Sequence, residues 1–367
     1  MFDKRLYQNF DWGIAAVTLL LCVIGAATVY SSVMAAHPSS SGTFFYKQLF
    51  WMGIGLPTMT ACFLFDYKNL DKWAYFIYAG CVILLVCVPV FGKVVGGARR
   101  WLILGPISIQ PSEIVKIAII IVMARYYSKN AETGGVGMRK LVFPMAAILV
   151  PFALIIRQPD LGTALLIAII AASTALFAKI KRGAFLFLSA FFAVSVPVVW
   201  FFLKEYQKKR ILTFLDPDRD PLNAGYHIIQ SKIAIGSGTV WGKGFLEGTQ
   251  SALSFLPERH TDFIFSVWAE ERGFAGSALV LFLFLALILM ALNVAYRCRD
   301  SFGAILAAGI AIMMFWQVFI NIGMVMGLMP VVGVPLPFVS YGGSSTLTMM
   351  ISVGLLLNIS MRRFMFD

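Results

Sequence analysis

Between Arg210 and Gly276 the sequence gathers glycine turns, scattered cations and one acidic residue, Asp262, placed where the chain re-enters a long apolar run. The centre of this stretch is Phe255-Leu-Pro-Glu-Arg-His-Thr-Asp-Phe-Ile-Phe265. A carboxylate at the mouth of a helix bundle can take a proton as a general base. It can equally cap the helix that follows, a common role for Asp. His260-Thr261-Asp262 is not a hydrolase triad on sequence grounds, because triads are defined by geometry. Metal ligation by His260 and Asp262 has no further His or Cys cluster behind it.

Cations suited to an anionic ligand accompany this carboxylate. Gly96-Gly97-Ala98-Arg99-Arg100-Trp101 is a turn that brings two guanidinium groups and an indole to the membrane surface. Arg forks bind phosphate oxygens in pairs, and Trp favours the interface. Just downstream, Glu113 and Lys116 stand three apart in an apolar span, so they share a face and can neutralise each other, as a structural pair or as part of a site. Gln158-Pro-Asp-Leu-Gly-Thr163 is a helix start in which capping accounts for Asp160.

The polar stretch also holds Lys208-Lys209-Arg210 and a glycine run, Gly236-Ser-Gly238 followed by Gly242-Lys243-Gly244. Such a run can turn backbone N–H groups toward an anion, but it lacks the spacing and ending of a phosphate-binding P-loop. Ile228, Ile229, Ile233 and Ile235 suggest a partly apolar loop along the membrane surface. Met329 to Ser345 is rich in Pro and Gly yet apolar, and reads as a re-entrant segment walling the same cavity, with Ser340 inside it.

The elements that must position these groups are membrane helices. Of the 367 residues, 59% are apolar and 13% charged, against about 25% charged in soluble domains, and the mean hydropathy is +0.83. The net charge of +12 would suggest nucleic acid in a soluble protein. Here it reflects the Lys and Arg excess of cytoplasmic loops, so no nucleic-acid partner is expected. The five cysteines form no CxxC pair and read as buried small hydrophobes.

Spans of about 20 residues fall near 12–33, 48–65, 73–91, 109–127, 141–157, 160–178, 184–203, 264–296, 303–328 and 344–361. The first is an uncleaved anchor. The prediction is an all-α polytopic membrane protein of about ten helices, a single integral domain over 1–367. A long extracytoplasmic loop, 204–262, separates helices 7 and 8. The basic residues of the short connections put both termini in the cytoplasm. Gly323 and Gly327 are expected at a close helix contact.

Four blocks then resemble the SEDS family (shape, elongation, division and sporulation). They are Gly97-Ala-Arg-Arg-Trp101 with Gln110-Pro-Ser-Glu113 and Lys116; Gln158-Pro-Asp-Leu-Gly-Thr-Ala164; Leu256-Pro-Glu-Arg-His-Thr-Asp-Phe263 with Ala269-Glu-Glu271; and Pro335-Leu-Pro-Phe-Val-Ser-Tyr-Gly-Gly-Ser-Ser345. The resemblance covers nearly the whole chain. The short N-terminal tail, Arg259 and the basic C-terminus favour its elongation branch over its division branch. Thr239 stands where a glycine is common.

The resemblance implies an inner-membrane peptidoglycan glycosyltransferase that uses lipid II, releases undecaprenyl diphosphate and has its catalytic Asp at Asp262. It also implies a class B penicillin-binding protein (the transpeptidase) as heterodimer partner, among other membrane proteins of the elongation complex. Substrate contacts are assigned to Arg99, Arg100, Trp101, Glu113, Lys116, Arg210, Lys243, His260 and Ser340. No metal ligand is assigned, although a divalent cation, Mg or Mn, can share the diphosphate charge. A lipid flippase and a scaffold for the transpeptidase are the competing classes.

Overall fold

The computed structural model describes residues 10–34, 42–95, 98–105, 107–130, 135–178, 180–187, 190, 201, 205–216, 224–253 and 258–362. Long apolar runs become helices: α1 (Trp12–Met34), α2 (Gly42–Leu64), α3 (Lys68–Phe91), α4 (Pro111–Asn130), α5 (Val142–Arg157) and α6 (Leu161–Phe177). After the polar stretch come α10 (Ile264–Arg297), α11 (Ser301–Val325) and α12 (Gly343–Arg362). Among the described residues six helices are long and apolar enough to cross a membrane: α1, α3, α5 with the turn before it, α10, α11 and α12. The expected seventh span, 184–203, lies mostly outside the described residues.

A helix apolar all round has no solvent face and ends up in the middle of a bundle. α4 does this, with Val115 and Ile117 to Ala124 all buried. α11 packs on α4, α6 and α10, while α12 packs on α2.

Two regions differ from the sequence reading. Residues 93–109, of which Gly96 to Trp101 read as a turn in an all-α chain, form a three-stranded antiparallel sheet, β1 (Lys93–Val95), β2 (Ala98–Leu104) and β3 (Ile107–Ile109), in the order β1-β2-β3. Its Val, Ile and Leu content suits strands, and β1 and β3, at three residues each, are too short to read by period. The stretch expected as loop 204–262 holds α7 (Glu205–Leu215), α8 (Ala224–Ser237) and α9 (Thr249–Ala252). α8 is docked rather than lying loose on a surface: Ile228 is buried, and Ser231 Oγ donates to the Val325 carbonyl at 2.6 Å.

The Gly323–Gly327 pair is not a helix–helix contact of the expected kind. Gly327 follows the end of α11 with φ +69°, and the N–H groups of Gly327 and Leu328 bond the carbonyls of Met324 and Gly323 at 3.1 and 2.7 Å. That is a left-handed helix stop, which Gly accepts without Cβ strain.

The glycine run has a job other than holding an anion. α10 is broken at Gly273 (φ 63°, ψ −159°), and residues 238–244 dock on the break. Phe274 and Ala275 donate to the carbonyls of Thr239 and Val240 at 2.9 and 3.0 Å, while Lys243 and Gly244 donate to those of Glu270 and Glu271 at 3.0 and 3.1 Å. The amides that could have turned toward an anion are therefore taken by the chain itself. A Cβ at Gly242 (φ +82°) would sit 2.1 Å from the Glu271 carbonyl oxygen. Gly242→Ala is accordingly expected to cost about 2–4 kcal/mol from the clash and the left-handed backbone. Thermal melting in detergent checks this, and an unchanged midpoint would rule out the tight docking.

Candidate active site

Asp262 ends a turn over residues 258–262 in which the Glu258 carbonyl accepts the N–H groups of Thr261 and Asp262, both at 3.1 Å. α10 starts beyond it, at Ile264, with Phe263 in the capping position and no side-chain cap. The carboxylate is thus not used as a helix cap.

Three other contacts fix this turn. Asn321 Nδ2 of α11 donates to the Asp262 carbonyl at 3.0 Å and to the Val334 carbonyl at 2.8 Å. Ser340 Oγ donates to the Thr261 carbonyl at 2.6 Å, and the Tyr341 N–H donates to the His260 carbonyl at 2.8 Å. Residues 329–342 thereby form a non-helical wall stitched to the turn, the kind of backbone tolerated at membrane depth where protein buries it. A Cβ built on Gly333 would lie 3.3 Å from Asp262 Oδ2, so the carboxylate faces this wall.

On the wall's neighbouring side is a cavity of about 100 Å³, lined by Arg100, Asp160, Gln207, Arg210, Val331 and Val332 among others. Alternation along β2 sends adjacent side chains to opposite faces, and this separates the two arginines. Arg100 Nη1 is 3.8 Å from Asp160 Oδ1, and its Nε donates to the Gln158 carbonyl at 3.2 Å. Arg99 instead donates to the Pro89 carbonyl of α3 at 3.1 Å. Arg210 comes from α7 and donates to the Val331 carbonyl at 3.2 Å. Asp160 caps α6 as expected, accepting from the Thr163 N–H at 3.3 Å.

Charge placement tunes the carboxylate. Burial pushes the Asp262 carboxyl up to about 6, and the charge of Glu258 adds to the rise. Arg210 and a hydrogen bond from Thr261 oppose it. Burial also lowers the His260 pKa, so its imidazole is neutral at pH 7. A carboxyl titrating near 6 is ionised at neutral pH and still basic enough to accept a hydroxyl proton.

The structure thus brings Asp262, Arg100, Arg210 and Asp160 around one cavity and its wall. Ser340 is buried beneath, holding backbone, and His260 packs against Phe44 and Tyr341 with ring centroids 4.8 and 5.8 Å away. Trp101 is half-buried on β2 opposite Lys93. Three others lie off the cavity lining. Lys116 and Glu113 form a buried pair at 2.8 Å within α4. Lys243 binds the buried Glu270 at 2.7 Å and Thr249 at 2.8 Å, tying the glycine run to α10.

Asn321 escaped the sequence reading, although a lone amide in an apolar span was its signal. It is a positioning residue. Asn321→Ala is expected to reduce kcat about tenfold, as loss of a buried hydrogen-bonded pair worth about 1.4 kcal/mol would. Substrate KM and the pH midpoint should stay put; a kcat equal to wild type would show that the turn holds itself.

Among the described residues no three His, Cys, Asp or Glu side chains gather to hold a metal. These residues do not make a dedicated metal site. Hard cations such as Mg²⁺ are otherwise bound through one or two carboxylates together with substrate phosphates.

Comparison with known proteins follows the same lines. The model of the FtsW, RodA and SpoVE family, described as "Cell cycle protein", matches residues 11–364. Peptidoglycan glycosyltransferase MrdB of Escherichia coli (strain K12) is 42% identical over 356 residues, 94% of each chain. Among solved structures, a chain of a peptidoglycan synthase complex that coordinates polymerization and crosslinking superposes with a TM-score of 0.82 at 31% identity, over 97% of this chain and 98% of that one. The rod shape determining protein RodA of Thermus thermophilus gives 0.72 at 26% identity, over 97% and 98%.

Proposed function

This chain belongs to the FtsW, RodA and SpoVE family and is a peptidoglycan glycosyltransferase of the multi-pass inner-membrane kind, and on that premise we propose that it polymerises lipid II during cell elongation with Asp262 as general base. The observation that carries this reading is a carboxylate poised near pH 6 beside a cavity lined by two arginines.

Joining an α-linked lipid diphosphate into a β-1,4 glycan inverts the anomeric carbon, so one displacement suffices. Asp262 takes the proton of the acceptor's 4-hydroxyl as its oxygen bonds to the donor's C1. The C1–O bond to phosphate breaks with its electron pair, and undecaprenyl diphosphate leaves. Arg100 and Arg210 stabilise the charge developing on that leaving group, replacing a general acid. Arg99, Trp101, Glu113, Lys116, Lys243 and Ser340 act further out or by holding structure. A divalent cation, Mg or Mn, would arrive with the diphosphate and share its charge.

The chemistry takes place at the outer face, with both termini in the cytoplasm, ten spanning helices and the 204–262 stretch outside. The partner is a class B penicillin-binding protein, a reading supported by the likeness to a chain of a synthase complex. The test is purified protein with its transpeptidase partner and labelled lipid II. Glycan chains are expected. No chains, together with movement of labelled lipid across vesicles, would establish a flippase instead.

A further inference from the structure

An inverting displacement places nucleophile and leaving group on opposite sides of the anomeric carbon, with the base beside the nucleophile. The arginine cavity claims one side of the Asp262 turn. Two residues back along the same turn, the structure gathers an aromatic surface from three separate segments: Phe44 at the start of α2, His260, and Tyr341 just before α12. Their ring centroids are 4.8 Å (Phe44–His260), 5.2 Å (Phe44–Tyr341) and 5.8 Å (His260–Tyr341) apart. Phe44 is 38% exposed, and His260 and Tyr341 are partly open. Such a surface is out of place as core, and none of its three rings lines the arginine cavity.

We infer that Phe44, His260 and Tyr341 form the platform on which the acceptor sugar rests, its 4-hydroxyl directed at Asp262. Sugar rings present a face of C–H bonds that an aromatic face covers, while their hydroxyls stay free for hydrogen bonds. The three rings brace one another, so the surface is set before the sugar arrives and loses little side-chain freedom on binding. The backbone bond from Tyr341 N–H to the His260 carbonyl ties this platform to the turn that carries the base. The inference rests on the polymerase reading and adds which side of the site takes which substrate.

The experiment separates the two substrates, using the protein with its transpeptidase partner. Lipid II with its 4-hydroxyl capped by galactose can only donate; a short glycan fragment without lipid or diphosphate can only accept. Phe44→Ala should raise the KM for the acceptor fragment about tenfold, the equivalent of about 1.4 kcal/mol, and leave the KM for the capped donor within about twofold. Phe44→Trp should keep the wild-type values and Phe44→Leu should behave as Ala. Equal effects on both substrates, no effect, or full rescue by Leu would overturn the platform. So would failure of wild type to use the lipid-free acceptor while it polymerises ordinary lipid II, because a platform that holds the sugar does not need the lipid. No polymer from wild type would instead overturn the polymerase reading.

Discussion

Asp262→Asn is expected to lower glycan synthesis roughly a thousandfold, within the range for losing a general base, while the protein becomes more stable at neutral pH. The second half follows from linkage. The folded carboxyl titrates at about 6, above the roughly 3.9 of an unfolded Asp. A raised carboxyl favours the folded state while it is protonated, and that contribution is lost as pH rises from about 4 through 6. A shift of about 2 units corresponds to roughly 3 kcal/mol at most, and solvent around a half-buried group reduces it to about 1–2 kcal/mol. Asn cannot ionise, so the variant should melt higher than wild type at pH 7.5 and close to it at pH 4.5. Wild-type activity should rise with pH, half-maximal near 6, and stay level above. A variant that polymerises normally would remove Asp262 from the chemistry.

Arg210→Ala is expected to cost about a hundredfold in kcat, as loss of one preorganised charge facing a developing anion does. It should also move the pH midpoint upward, because the Arg210 charge is among the influences holding the Asp262 carboxyl down. A residue that only shaped the cavity would slow the reaction without moving the midpoint. Arg210→Lys should restore part of both effects, since a point charge keeps the field but loses the fork. Arg99→Ala is the contrast: its guanidinium turns to the Pro89 carbonyl, off the cavity lining, and activity should change little. Rates measured across pH 5–9 with labelled lipid II decide both.

Much of the frame was legible from run length alone. The expected span 12–33 is α1, Trp12–Met34, and 344–361 is α12, Gly343–Arg362, because the bilayer demands about 20 apolar residues and little else competes. Asp262 was legible for the opposite reason, as a carboxylate at the edge of such a run. What did not show was decided by tertiary contact. Strands of three residues at 93–95 and 107–109 are too short for a period to appear. A glycine run frees backbone amides, but only the fold decides whether they meet a ligand or, as here, the carbonyls of Glu270 and Glu271. Likewise Arg99 and Arg100 are adjacent in sequence and part company only once they alternate across a strand.

The break at Gly273 has a mechanical meaning. An unbroken helix of 34 residues would be about 51 Å long at 1.5 Å per residue, some 20 Å more than the hydrocarbon core. Interrupted at Gly273, the part from Phe274 to Arg297 keeps about 36 Å, enough to span with modest tilt. The short part between Asp262 and the break is oriented by the docked glycine run and by Asn321. A rod that leans independently beyond the break meets lipids of different thickness at a small cost per ångström of mismatch, and leaves Asp262, on the near side of Gly273, at its height and heading.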